Sequence, residues 1–185
     1  MSGDPLAHPE NAIRKVYAYV AYRIGPGPDA DDIVSETIER ALRYRSSYDE
    51  RKGSGAAWLA AIASNVLADA ARERGLVSDV GPESAGAVED FSSGAIRRLE
   101  LREAIALLDD RSRELLALRY GADLKAREIA ELLGLRANTV EAALSRLIIR
   151  LRSILDANGP SQGSEAPQPE RPRSSSRVGR VPPRD

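Results

Sequence analysis

Large apolar residues in this chain recur every three or four positions and nowhere alternate with polar ones, so amphipathic helices are expected and no strand is. Ile13, Val16, Tyr17, Val20 and Ile24 make the first such row. Gly25-Pro26-Gly27-Pro28 must end it, since neither residue type sustains a helix. Asp29, Asp31 and Asp32 follow, where carboxylates favour the positive end of a helix dipole. Val34, Ile38, Ala41 and Leu42 are the expected apolar face of that second helix. A polar loop over 45–55 leads to a third helix, with Leu59, Ile62, Ala63, Val66 and Ala70 facing inward. The pattern resumes with Ile96, Leu99, Ile105 and Leu108, then a short helix over 113–120 carrying Leu115, Leu116 and Leu118. A long helix from about Ala137 shows Val140, Leu144, Leu147, Leu151 and Leu155 on one face. The fold class is all-α.

Two composition shifts divide the chain. Between Arg74 and Arg97 there is no Lys or Arg, while Asp79, Glu83, Glu89 and Asp90 occur among Gly75, Gly81, Pro82, Gly86 and Gly94. Residues 75–95 therefore read as a flexible acidic linker between small helical domains at 10–74 and 96–156. Residues 157–185 are rich in Pro, Ser and Gly and carry Arg171, Arg173, Arg177, Arg180 and Arg184. Such a segment buries too little apolar surface to offset the entropy of ordering, and reads as a disordered tail. It is either a solvated extension or a weak nucleic-acid tether.

Composition excludes much chemistry. The 185 residues include no cysteine and one histidine, His8. That removes disulfides, thiolate nucleophiles and multi-histidine metal sites. No glycine-rich phosphate loop and no membrane-length apolar run are present. The segment before residue 10 lacks the pattern of a secretory signal. The expectation is a cytoplasmic protein that is not an enzyme and needs no cofactor, metal, membrane or small-molecule substrate. The 27 basic residues against 28 acidic argue against tight autonomous DNA binding, which usually comes with a basic stripe.

One motif carries function. Glu128-Ile129-Ala130, Leu133-Gly134-Leu135 and Thr139-Val140 with Leu144 have helix-turn-helix spacing. Ala130 lets two helices approach, Gly134 suits a left-handed turn, and Leu135, Val140 and Leu144 share a core. The second helix of such a unit presents its first turns to the major groove.

The sequence resembles RNA polymerase sigma factors of the sigma-70 family, in the extracytoplasmic-function (ECF) group. Asp31-Asp32-Ile33-Val34-Ser35-Glu36-Thr37-Ile38-Glu39-Arg40-Ala41 is similar to a helix of sigma region 2. Trp58-Leu59, Ile62-Ala63, Asn65, Asp69 and Arg72 match its W-L-x-x-I-A-x-N-x-x-x-D-x-x-R helix, and the helix-turn-helix resembles region 4. The resemblance implies a region 2 bundle of three or four helices and a region 4 domain that together bind core polymerase, melt the promoter and start transcription. It implies that Asp31, Asp32, Val34, Ser35, Glu36 and Arg40 dock on core polymerase. Arg45, Tyr48, Trp58, Ala61, Asn65, Asp69 and Arg72 would open and read the minus-ten element. Arg136, Asn138, Thr139, Glu141, Ala142, Ser145, Arg146 and Arg150 would meet the minus-thirty-five element. The implied partners are core RNA polymerase, promoter DNA and an anti-sigma factor.

Tyr44 and Tyr48 fit either of two roles, a stacking platform for a melted base or packing against the three-helix core. The same choice holds for Trp58 as base reader or core anchor. The chain departs from the family pattern at Gly55, where an aromatic is usual, and at Glu141-Ala142-Ala143, where the family typically has Lys, Ser and Arg. A carboxylate repels phosphates but can accept from cytosine N4. Two rivals therefore accompany the sigma reading: a sigma-like protein that sequesters an anti-sigma factor, and a stand-alone helix-turn-helix regulator.

Overall fold

The computed structural model describes residues 4–74 and 93–158. Seven α-helices fill them: α1 Pro9–Ile24, α2 Pro28–Arg43, α3 Gly55–Glu73, α4 Ser93–Ala106, α5 Asp110–Leu116, α6 Ala126–Leu133 and α7 Ala137–Asn158. A single 3₁₀ turn, Arg45–Ser47, follows α2, and a π-type turn, Ala117–Gly121, follows α5. Among the described residues there is no strand, and no helix is long and apolar enough to cross a membrane. Of the expected linker only 93–95 is described, and it is the start of α4. The tail beyond Asn158 lies outside the described residues.

The boundaries have local causes. Pro9 and Pro28 open α1 and α2 at the position where a missing N–H costs nothing. Gly25 and Gly27, at φ 84° and 147°, turn the chain between them. Ser54 caps α3 by accepting from Ala57 N at 3.3 Å. Asp109 caps α5 by accepting from Ser112 N at 2.9 Å, and the bonds from Ser112 hold its carboxyl below the usual range.

The apolar rows differ in phase from those read off the sequence. In α2 the buried stripe is Ala30, Ile33, Val34, Thr37 and Ala41, while Leu42, expected inside, is 57% exposed. That stripe follows i, i+3, i+4, i+7 and i+11, and Leu42 lies a further 100° round the last turn. Thr37 is tolerated in the core because its hydroxyl donates to Ile33 O at 2.7 Å. Ile13 and Leu99, also placed in apolar rows, are exposed; Ala12 with Tyr19, and Ala104 with Leu108, take the inward positions.

The first three helices pack as a bundle, and α4 to α7 form a second group. The two groups share one continuous core, because α1 lies along α5 and the π-type turn. Leu115, Leu116, Ala117 and Leu118 are all buried. Four successive residues sweep most of the way round a helix, so no single packing face could cover them. They need α1 on one side and the C-terminal helices on the other.

Gly134 holds the turn between α6 and α7 in the left-handed region at φ 66°, ψ 33°, and Leu135 N donates to Ala130 O at 2.8 Å across it. An added Cβ would meet nothing within 4 Å. Gly134→Ala therefore tests backbone conformation alone. We expect a loss of about 1–2 kcal/mol, the cost of a left-handed L-residue, in a urea melt followed by circular dichroism.

Candidate polymerase and nucleic-acid interface

Three surfaces carry the residues singled out from sequence. On α2, Asp31, Asp32 and Ser35 are exposed, and the Ser35 hydroxyl bonds back to Asp31 O at 2.9 Å. Val34, taken with them as a docking residue, is instead in the core at 7% exposure, so the docking face excludes it. Glu36 and Arg40 are half-buried and joined: Arg40 Nε donates to Glu36 Oε1 at 2.6 Å. Arg40 also reaches across to α3, donating to Asp69 Oδ2 at 2.8 Å, and Arg72 donates to the other oxygen at 2.6 Å. Asp69 is thus held between two guanidiniums, Arg40 foremost, and its carboxyl lies below the usual range. The same bonds push Arg40 upward. Asp69 positions side chains rather than offering a free acceptor.

The second surface is α3 with the loop before it. Leu59, Ala60, Ala63 and Val66 are buried, while Asn65 and Arg72 are exposed. Ala61, one turn before Asn65, is half-buried. Trp58 is half-buried against the core and stacks on Tyr48, ring centres 5.6 Å apart and tilted by 57°. The Tyr48 hydroxyl donates to Gly53 O at 3.2 Å, and partial burial raises its pKa, with Glu50 and Asp49 adding to the effect. Tyr44 is 53% exposed. Arg45 is not free: Asp4 takes its Nε at 2.9 Å and its Nη2 as well. A Cβ at Gly55 would meet Pro5 at about 3 Å. The segment before α1 therefore lies over this loop, which the periodicity of the helices gave no means of seeing.

The third surface is the helix-turn-helix. Glu128 caps α6 by accepting from Lys125 N at 2.8 Å. Val140, Leu144, Leu147 and Leu151 bury one face of α7. Arg136, Asn138, Thr139, Glu141, Ala142, Ser145, Arg146 and Arg150 are all exposed. A groove of about 210 Å³ runs beside them, where Arg146 and Arg150 meet Arg111 and Ser112 of α5. Arg150 also pairs with Asp109 at 3.4 Å. Arg111 was not among the candidates from sequence; only packing brings α5 beside α7.

Sequence comparison bears directly on these surfaces. The family model for Sigma-70 region 2 matches residues 10–76, and that for Sigma-70 region 4 matches 98–151. The chain belongs to the sigma-70 family, in its ECF group. It is 27% identical over 147 residues to the ECF RNA polymerase sigma factor BldN of Streptomyces coelicolor, covering 76% of this chain and 56% of that protein. It is 27% identical over 149 residues to the ECF RNA polymerase sigma factor SigL of Mycobacterium tuberculosis, covering 78% and 84%. Among solved structures, the sigma factor RpoE of Bartonella quintana, in complex with the anti-sigma factor NepR, superposes with a TM-score of 0.61 at 18% identity, covering 80% of this chain and 93% of that one. CnrH, in complex with the cytosolic domain of CnrY, gives 0.55 at 25%, covering 82% and 84%. Region 2 of this sigma factor is thus the α1–α3 bundle, and region 4 is built on α4–α7.

The clasp between α2 and α3 sets a pH dependence. A carboxyl whose pKa is lower folded than unfolded adds stability above its unfolded value, and loses it as pH falls through the folded value. Asp69→Asn should lower the melting temperature at pH 7. The gap between variant and parent should close as the pH drops below about 4, the ordinary aspartate range. Melting curves at pH 7, 5 and 3 check both halves of this statement.

Proposed function

We propose that this sigma factor docks on core RNA polymerase through the exposed face of α2, reads the minus-ten element with α3 and the loop before it, and meets the minus-thirty-five element with the start of α7. The observation that carries the reading is the division of α3. Its apolar stripe is buried in the bundle, while Asn65 and Arg72 stay exposed beside the Trp58–Tyr48 pair. An amide and a guanidinium can reach base edges and phosphates, and an aromatic pair can receive an unstacked base. Asp31, Asp32 and Ser35 supply the polymerase contact, with Glu36 and Arg40 behind them. Arg111, Arg146 and Arg150 suit phosphate contact, and Arg136, Asn138, Thr139, Glu141, Ala142 and Ser145 lie where a recognition helix meets bases.

The chain acts in the cytoplasm, without cofactor or catalytic step, as a subunit of polymerase. An anti-sigma factor is a further partner; that the sigma factor RpoE of Bartonella quintana is bound to the anti-sigma factor NepR supports this. Asn65→Ala and Arg72→Ala should each reduce open-complex formation on a cognate promoter about tenfold, the size of one good base contact, while core binding survives. Permanganate footprinting with reconstituted holoenzyme measures it; wild-type opening by both variants would remove α3 from the minus-ten role.

A second reading, capture of an anti-sigma factor without promoter use, is favoured by Glu141 on the recognition helix and by Ile149, 67% exposed on the same helix. Glu141→Lys separates the two. If Glu141 faces bases, the substitution should change which minus-thirty-five sequences are used, at ~1–3 kcal/mol on the native one. A promoter library transcribed by parent and variant reads the difference, and an unchanged preference favours the protein partner.

A further inference from the structure

The loop over 45–54 is tied at both ends to the segment that precedes α1. At its start, Asp4 accepts from Arg45 Nε at 2.9 Å and from Nη2 as well. Two parallel bonds fix the direction of a guanidinium where a single bond would not. At its end, Gly55 opens α3 against Pro5. A Cβ there would stand 3.0 Å from Pro5 Cα and 3.1 Å from Pro5 Cβ. The segment is itself folded. Leu6 N donates to Asp4 Oδ1 at 3.0 Å and Ala7 N to Asp4 O at 3.1 Å, a turn closed on the residue that grips Arg45. Leu6 packs against the buried core, which pins the turn to the body of the protein. The Leu6 N–H first, and the Arg45 guanidinium second, hold the Asp4 carboxyl below the usual range, so it is charged at neutral pH.

Between these ties lies the loop that carries one half of the aromatic pair. The Tyr48 hydroxyl donates to Gly53 O at 3.2 Å, and its ring stacks on Trp58. Asp49 closes the turn in between, its carboxylate accepting from Arg51 N at 3.1 Å and its carbonyl from Lys52 N at 2.9 Å. Those bonds shape the loop from within. The ties at Arg45 and Gly55 fix it to the segment before α1. The Asp4–Arg45 pair is partly exposed, 28% and 53%, and a pair so placed adds little stability. Its contribution is therefore to where the loop stands, not to whether the chain folds.

We propose that the segment before α1 is a working part of the minus-ten reader, with Asp4 positioning the loop and Arg45 serving as its tether rather than as a phosphate contact. The proposal rests on the reading that this loop and α3 meet minus-ten DNA. Receiving an unstacked base costs less when the side chains around it are already immobile, because their ordering entropy was lost on folding. Freeing the loop returns that cost to the moment of promoter opening.

Trp58 is the one tryptophan of the chain, so its emission reports on this loop directly. In the free protein, Asp4→Ala should increase the quenching of Trp58 by acrylamide while the melting temperature hardly moves. In reconstituted holoenzyme it should slow open-complex formation on a cognate promoter about fivefold, the cost of immobilising one or two side chains anew. Affinity for core polymerase should stay at the parental value. Gly55→Ala, whose methyl displaces Pro5, should shift quenching and opening the same way by less. Arg45→Ala should match Asp4→Ala, and the double variant should open no more slowly than either single one, since both remove the same tie. Unchanged quenching in Asp4→Ala and Gly55→Ala would overturn the brace. Increased quenching with parental opening would overturn its part in the reader. An Arg45→Ala defect clearly larger than that of Asp4→Ala would return Arg45 to the DNA contacts and overturn the tether. A parent that opens no promoter would overturn the sigma reading and the reader role with it, while quenching would still decide whether the segment holds the loop.

Discussion

The burial of Leu115, Leu116, Ala117 and Leu118 in succession is the constraint on which the arrangement of this chain depends. A helix packed on one side cannot hide four consecutive residues. Region 4 covers one side of this run and α1 covers the other, so the cores of the two regions merge. The π-type turn that follows ends at Gly121, the residue through which the two backbones meet. Helix bundles usually meet through side chains at 8–10 Å between axes. Contact at the backbone fixes register more tightly, because nothing flexible lies between.

A second constraint operates within region 2. Arg40, Asp69 and Arg72, with Glu36 behind them, form a ladder from α2 to α3, the helices proposed to face polymerase and DNA. The distances are those of charge-assisted bonds, 2.6–2.8 Å. Arg72 is thereby aimed by Asp69, and Asp69 by Arg40. A displacement of α2 would therefore be felt at the Arg72 guanidinium. The ladder lies at the surface, so its contribution is more to orientation than to stability.

Much of this was legible in the sequence. Helical class, the Gly134 turn and the exposed Asn65–Arg72 stripe follow from spacing, because spacing within a helix is set by 3.6 residues per turn. The phase of the rows was less legible. Leu42 and Leu99 are leucines on the outside, and Thr37 a threonine on the inside, because a helix near the surface chooses its inward stripe by what it packs against. Val34, which periodicity placed on the apolar face and the family resemblance on the docking face, lies in the core, as periodicity had it.

The information carried by residue order is local: where helices start and stop, and which motif resembles which region. Ser54, Asp109 and Gly134 act on neighbours within five residues, and their roles need no tertiary knowledge. The contacts that residue order leaves open are long in sequence separation. Tyr19 and Glu114 are 95 positions apart, Lys15 and Asp123 are 108, and Ser54 and Glu128 are 74. Nothing in the pattern of either partner announces the other, since a tyrosine or a carboxylate carries no record of what it will face. Periodicity encodes one helix against an unspecified core; the choice of which helix completes that core is made when whole faces compete for burial.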